Sequence, residues 1–257
     1  MSNEKIKSKA QGLDFENPFF KSLSYYSIPV VDKIGRDFFE LSGTANFFQK
    51  GDRVYLISAA HVFDSCKAAG ILLDKIIIGL SGKVEKIKLN FPDETKSFNL
   101  DLAIAPLPQN EVKETEYYSY FRSLVKYEEL IFSPTSSYFL NGYIASKSRF
   151  HTMTNSFSSH KLVHQVTSIS QLISKDGIAQ FKTPIHSDEE KREKLPKLQG
   201  LSGCPLLQVH TYPDGVSRMS IAGICVSYSL TSDRQNYLID VYTTQLLNFL
   251  FSNYPGE

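Results

Sequence analysis

Short runs of β-branched and aromatic residues, cut at close intervals by glycine, proline, asparagine and aspartate, recur along the whole chain and constrain its fold more than any other feature. In the first half they fall at 25–31, 38–48, 54–58, 75–79, 83–89 and 102–107. Pro29 suits an edge position, Gly43 bends the second run, and Gly51-Asp52 is a turn that makes a hairpin of its neighbours. A second set falls at 138–144, 161–169, 177–183, 205–210, 217–228 and 236–239. Two stretches break the pattern. Residues 108–134 have no two-residue period and read as a connection, partly helical around 117–127, and the apolar residues of 243–251 recur at helical spacing. Many short strands without regularly alternating helices argue for a barrel or sandwich and against βαβ units.

Within the second set, Gly200-Leu201-Ser202-Gly203-Cys204-Pro205 places one serine between glycines, immediately before a strand. Such a turn exposes a hydroxyl. Serine is a weak nucleophile at neutral pH, so a reactive Ser202 requires a histidine to take its proton and a carboxylate to orient that histidine. His61 follows the strand-like 54–57 through the small residues Ser58-Ala59-Ala60. Asp101 stands at the head of the apolar run 102–107. The other five histidines lack that small-residue, post-strand setting, and they read as structural or surface groups. Asp64 is too near His61 in the chain to orient it from a separate element, and Asp74 lacks a following apolar strand. Cys204 offers a rival nucleophile, but it lies where the strand has begun and reads as a small buried hydrophobe.

The order His61, Asp101, Ser202, each in such a context, resembles the trypsin/chymotrypsin-like serine peptidases over about residues 25 to 250. α/β-Hydrolases and subtilisins carry the same residue types in other orders. The resemblance implies an all-β fold of two six-stranded antiparallel β-barrels with a C-terminal α-helix. Residues 1–24 would be a polar leader, 25–120 the barrel carrying His61 and Asp101, 121–137 a connection, and 138–257 the barrel carrying Ser202 with the helix. It implies peptide-bond hydrolysis through an acyl-enzyme, the Ser202 hydroxyl lying within about 3.5 Å of a His61 nitrogen. The Gly200 and Ser202 N–H groups would form the oxyanion hole, and neither metal nor organic cofactor is implied. Pro196, Lys197 and Leu198 would lie at the base of the substrate pocket, with Ser227, Tyr228 and Ser229 along its wall. No carboxylate stands at that base, so small or medium uncharged residues are expected before the cut. The charged run 187–194 reads as a solvated loop, and an acid in it such as Asp188 or Glu190 would reverse that preference by reaching the pocket.

Two departures bear on regulation. No Ile-Val-Gly-Gly-like start is present, and Leu201 stands where secreted members carry an aspartate that pairs with a freed amine. A switchable oxyanion hole would therefore need a partner protein, a loop or the leader. A catalytically silent peptide-binding module or an esterase would share the same residues. The formal net charge of +1 gives no electrostatic argument for nucleic acid or an anionic membrane, and no apolar run reaches the roughly 18 residues of a membrane helix. The polar start Met1-Ser2-Asn3-Glu4-Lys5 does not read as a secretory signal, and three unpatterned cysteines read as free thiols, so a cytoplasmic location is expected.

Overall fold

The structure is a computed structural model that describes residues 23–35, 38–64, 66–74, 76–80, 82–90, 97–124, 126–127, 136–151, 156–158, 161–168, 177–184, 186–188, 193–194 and 198–252. Its first half is an antiparallel sheet of seven strands: β1 (Ile28–Lys33), β2 (Phe39–Lys50), β3 (Arg53–Ser58), β4 (Ala69–Leu73), β5 (Ile76–Gly79), β6 (Glu85–Asn90) and β7 (Ser97–Pro106). They are ordered β5-β4-β1-β2-β3-β7-β6, and among the described residues no ladder joins β5 to β6. This half therefore has one strand more than expected and is not closed by backbone pairing. The extra strand is β4, whose Ala69-Gly70 opening carries little β propensity. Pairing with β1, Val30 opposite Ile71, supplies what the local sequence lacks.

The second half does close. Strands β8 (Ser136–Tyr143), β9 (Lys161–Ser168), β10 (Ile178–Pro184), β11 (Pro205–Thr211), β12 (Ser217–Leu230) and β13 (Asn236–Thr243) run β11-β8-β9-β10-β13-β12, and the pairing of β12 with β11 completes a six-stranded antiparallel barrel. Closure removes the unpaired strand edges that an open sheet exposes. Among the described residues four α-helices accompany the strands: α1 (His61–Asp64), α2 (Gln109–Lys113), α3 (Glu116–Leu124) and α4 (Thr244–Ser252). The helix expected around 117–127 begins earlier, and it packs on the first half, where Tyr118 and Phe121 meet Phe47 with ring centroids 6.2 and 5.7 Å apart. In the charged run, His186–Asp188 pairs with Glu193–Lys194.

One apolar core fills the first half and continues into the second through Phe139, Leu207, Ile224, Tyr242 and Phe251. A separate core, with Leu140, Phe181, Leu206 and Ile239, fills the barrel. The halves are also tied at both ends of the described chain. Phe251 of α4 stacks on Phe48 of β2 at 3.9 Å, and the Lys50 ammonium donates to the Phe251 carbonyl at 2.6 Å, where a helix end leaves carbonyls without partners. Near the N-terminal end, a 3₁₀ turn (Ser24–Tyr26) is pinned from both sides. Asn46 of β2 donates to the Tyr26 carbonyl at 2.8 Å, and Asn141 of β8 donates to the Leu23 carbonyl while accepting from the Ser27 hydroxyl.

Asn141 is fully buried, so removing its amide strands two polar groups without water. Asn141→Ala is expected to lower stability by about 2 kcal/mol in urea unfolding.

Candidate active site

His61 opens α1, three residues beyond the end of β3. α1 lies against β2 with no room to spare: a Cβ at Gly43 would come within 2.6 Å of Val62. Ser58 pairs with Ala103, so the chain leaving β3 runs beside the stretch of β7 that precedes Ala103. There the β6–β7 ladder shifts register, from Lys86 opposite Ala103 to Lys88 opposite Asn99, so that residues 100–102 face Ile87 alone. Asp101 is thus the centre of a bulge inside a strand, where a side chain can be re-aimed, and not the strand's first residue as the sequence suggested. Its carboxylate takes two bonds from His61, Oδ2 from ring Nδ1 at 2.6 Å and Oδ1 from the backbone N–H at 2.9 Å. The Asp101 N–H in turn donates to the Tyr242 hydroxyl of β13 at 3.2 Å.

Burial pushes the Asp101 carboxyl up, but the bonds and charge of His61 outweigh it, and the group lies below its ordinary value. An ionised carboxylate only accepts, so Nδ1 carries a proton and a neutral ring offers Nε2 as the acceptor. The bond to Asp101 holds His61 above its ordinary pKa against the opposing effect of burial.

Ser202 is only 7% exposed. Its loop is clamped onto β2 and β3: the Ser202 carbonyl accepts from the Thr44 N–H at 3.0 Å, and the Gly200 carbonyl accepts from the Thr44 hydroxyl at 2.7 Å. Gly203 approaches so closely that a Cβ there would lie 2.0 Å from both the Thr44 carbonyl oxygen and the Ser58 hydroxyl. Gly200 and Gly203 have φ of +100° and +84°, which other residues rarely adopt. Thr44 follows Gly43, which backs α1, so one dipeptide of β2 supports both the His61 turn and the Ser202 turn. No hydrogen bond joins the Ser202 hydroxyl to the His61 ring, which departs from the expected contact.

Three N–H groups in the loop have backbone acceptors: Leu201 bonds to Leu198, Gly203 to Cys225 and Cys204 to Leu201. Among the described residues the N–H groups of Gly200 and Ser202 have none. The Gln199 carbonyl is held by the Ala145 N–H at 2.9 Å, and in a trans peptide this turns the following Gly200 N–H away from Ala145. Two neighbouring unpaired donors in a largely buried loop are unusual, and they are suited to binding an anionic oxygen.

Matched as a sequence, the chain fits no family model and no curated protein. Its fold is similar to that of several solved proteases. The MamO protease domain from Magnetospirillum magneticum aligns at TM-score 0.48 and 10% identity, over 90% of this chain and 97% of that one. A serine endoprotease from Yersinia pestis aligns at 0.49 and 13%, over 91% and 67%. The Rv3671c protease of M. tuberculosis, in an inactive form, aligns at 0.45 and 12%, over 97% and 98%. At such identities the likeness is one of backbone path.

The other candidates make different contacts. Asp74 accepts the N–H of Glu116 at the start of α3, and Asp64 pairs with Lys86. Cys204 is fully buried in the barrel core, and burial pushes its thiol well above the ordinary range, as expected of a packing residue. Pro196 and Lys197 lie outside the described residues, as does Glu190. Leu198, read from the sequence as part of the pocket base, is 1% exposed and turned into the barrel core. The Ser227 hydroxyl donates to Asp240 at 2.6 Å, and Ser229 is exposed. Tyr228 is half-buried and packs against the barrel core beside Tyr237. Two residues around the site had no sequence signal: Thr44 and Tyr242 act across 99 to 158 residues, while Ser58, visible only as one of the small residues before His61, acts through its hydroxyl on Thr44.

The Gly203 contact can be weighed by mutation. Gly203→Ala sets a methyl against a backbone oxygen and is expected to cost roughly 3–5 kcal/mol or to prevent folding. Gly51 also has positive φ, +58°, but faces open space, so Gly51→Ala should cost only about 1 kcal/mol in the same unfolding measurement.

Proposed function

We propose that the chain is a serine endopeptidase that hydrolyses peptide bonds through an acyl-enzyme, with Ser202 as nucleophile, His61 as general base and Asp101 as its orienting acid. The observation that carries this reading is the double bond-up of Asp101 to His61, at 2.6 Å to the ring and 2.9 Å to the backbone, on the strand support that also holds the Ser202 loop. Nε2 of His61 would take the Ser202 proton during attack and return it to the leaving amine. The free N–H groups of Gly200 and Ser202 would receive the developing oxyanion, each such donor being worth roughly 3 kcal/mol in comparable sites. Neither a metal nor a cofactor enters the scheme. The Ser202–His61 hydrogen bond is missing, which favours one second reading, a peptide-binding module without turnover. Catalytic contacts in unliganded sites are often long and tighten with substrate.

Labelling with a fluorophosphonate probe separates the two. Wild type should be labelled and folded Ser202→Ala should not; an unlabelled wild type would leave the binding module. Peptide and ester substrates then distinguish a peptidase from an esterase.

Attack requires neutral His61, and the bond to Asp101 raises its pKa. Turnover should therefore rise with pH through a midpoint above the ordinary histidine value of about 6.5. In Asp101→Asn that midpoint should move to lower pH and the neutral-pH rate should fall roughly 10⁴-fold, while Asp74→Asn leaves both unchanged. The reverse pattern in pH–rate profiles would reassign the acid.

A further inference from the structure

Thr44 of β2 is fully buried, and every polar group it has is engaged at the junction of the two halves. Its N–H donates to the Ser202 carbonyl at 3.0 Å, and its carbonyl accepts from the Ser58 hydroxyl at 2.6 Å. Its own hydroxyl donates to the Gly200 carbonyl at 2.7 Å and accepts from the Tyr143 N–H at 2.9 Å. The last two bonds decide its role. Tyr143 ends β8, and the Ala145 N–H two residues on holds the Gln199 carbonyl. Gly200 is thus held on both sides, its preceding peptide through Ala145 and its own carbonyl through Thr44. A hydroxyl can serve both partners because it donates once and accepts as well. An apolar side chain of the same shape could serve neither.

We propose that Thr44 is a positioning residue of the Ser202 loop. Its side-chain hydroxyl holds the Gly200 carbonyl directly and, through the Tyr143 N–H, braces the end of β8 next to Ala145, which holds the preceding peptide, so that the Gly200 and Ser202 N–H groups stay free to receive a negatively charged oxygen without a charged partner at Leu201. The proposal rests on the peptidase reading for its catalytic consequence. Its structural half, that the hydroxyl holds the loop, stands apart from that reading.

The informative variants are Thr44→Val, which keeps the shape and loses the hydroxyl, and Thr44→Ser, which keeps the hydroxyl. In wild type, two measurements are taken on folded protein: the rate of fluorophosphonate labelling or turnover, and hydrogen–deuterium exchange of the segment 198–206. Thr44→Val should lower kcat by about 100-fold, the loss seen when an oxyanion donor is removed, with little change in KM. It should also speed exchange across 198–206, and Thr44→Ser should restore both to within a few-fold of wild type. A Thr44→Val protein that melts at lower temperature yet keeps wild-type kcat per folded molecule and wild-type exchange would overturn the proposal, because Thr44 would then be a packing residue only. If wild type is inert to probe and substrates, the peptidase reading fails on its own, and exchange still decides whether Thr44 holds the loop.

Discussion

There is no space for a β-carbon at Gly203. The strand bearing Thr44 and the end of β3 at Ser58 close to 2.0 Å around the place where one would stand. This steric limit lets a loop of the second half lie flat against a strand of the first, close enough for the Thr44 N–H and hydroxyl to reach two carbonyls of the loop. The other chemical groups are built on the neighbouring part of the same support. His61 sits on α1, which packs on the adjacent Gly43, and Asp101 reaches His61 from the β7 bulge beside β3. A larger residue at 203 would push the loop that bears Ser202 away from Thr44 and Ser58, and so away from the support it shares with His61.

The two halves meet through apolar packing as well as through this polar seam, and the two kinds of contact do different work. Continuity of the first core into Phe139, Leu207 and Phe251 supplies a non-directional attraction, which scales with area and tolerates small shifts. The hydrogen bonds of Asn46, Asn141, Thr44 and Tyr242 are directional and buried or partly buried, and an unsatisfied partner at such a place costs more than the bond gains. Packing thus accounts for the halves associating, and the polar contacts for their doing so in one register.

The sequence carried those parts of the site that are local. Small residues before His61 and glycines around Ser202 are visible because each turn needs them within a few positions. The strands of the second half were also legible from β-prone runs and turn residues, and their closure into a barrel is what the resemblance implied. What escaped was set by distance in the chain. β4 begins with Ala69-Gly70 and is a strand only because β1 lies beside it. Asp101 looked like the start of a strand because Leu102 begins the apolar run, yet β7 starts at Ser97 and a three-residue bulge turns the acid toward His61. Thr44 and Tyr242 resemble any strand threonine and tyrosine until the fold brings them 156 and 141 residues along the chain to Gly200 and Asp101. Leu198 misled for the opposite reason: its place in the sequence suggested a pocket, and its apolar side chain was taken up by the core.

Leu201 shows how the loop is held without charge. Its side chain is 1% exposed and lies against β8, where a Cβ at Gly142 would come within 2.7 Å of it. The bonds that fix the neighbouring peptides, from Ala145, Thr44 and the loop itself, all join neutral groups. Neutral hydrogen bonds and apolar contacts are little affected by ionic screening or by pH in the range where histidine titrates. The geometry of the loop is therefore insulated from the conditions that change the protonation of His61. Among the residues that make up the site, the His61–Asp101 pair alone carries a proton that solution pH can move near neutrality. The pair and the loop share the Gly43-Thr44 support but not their electrostatics, so a change in pH alters the protonation of His61 while the contacts that hold the loop around Ser202 stay the same.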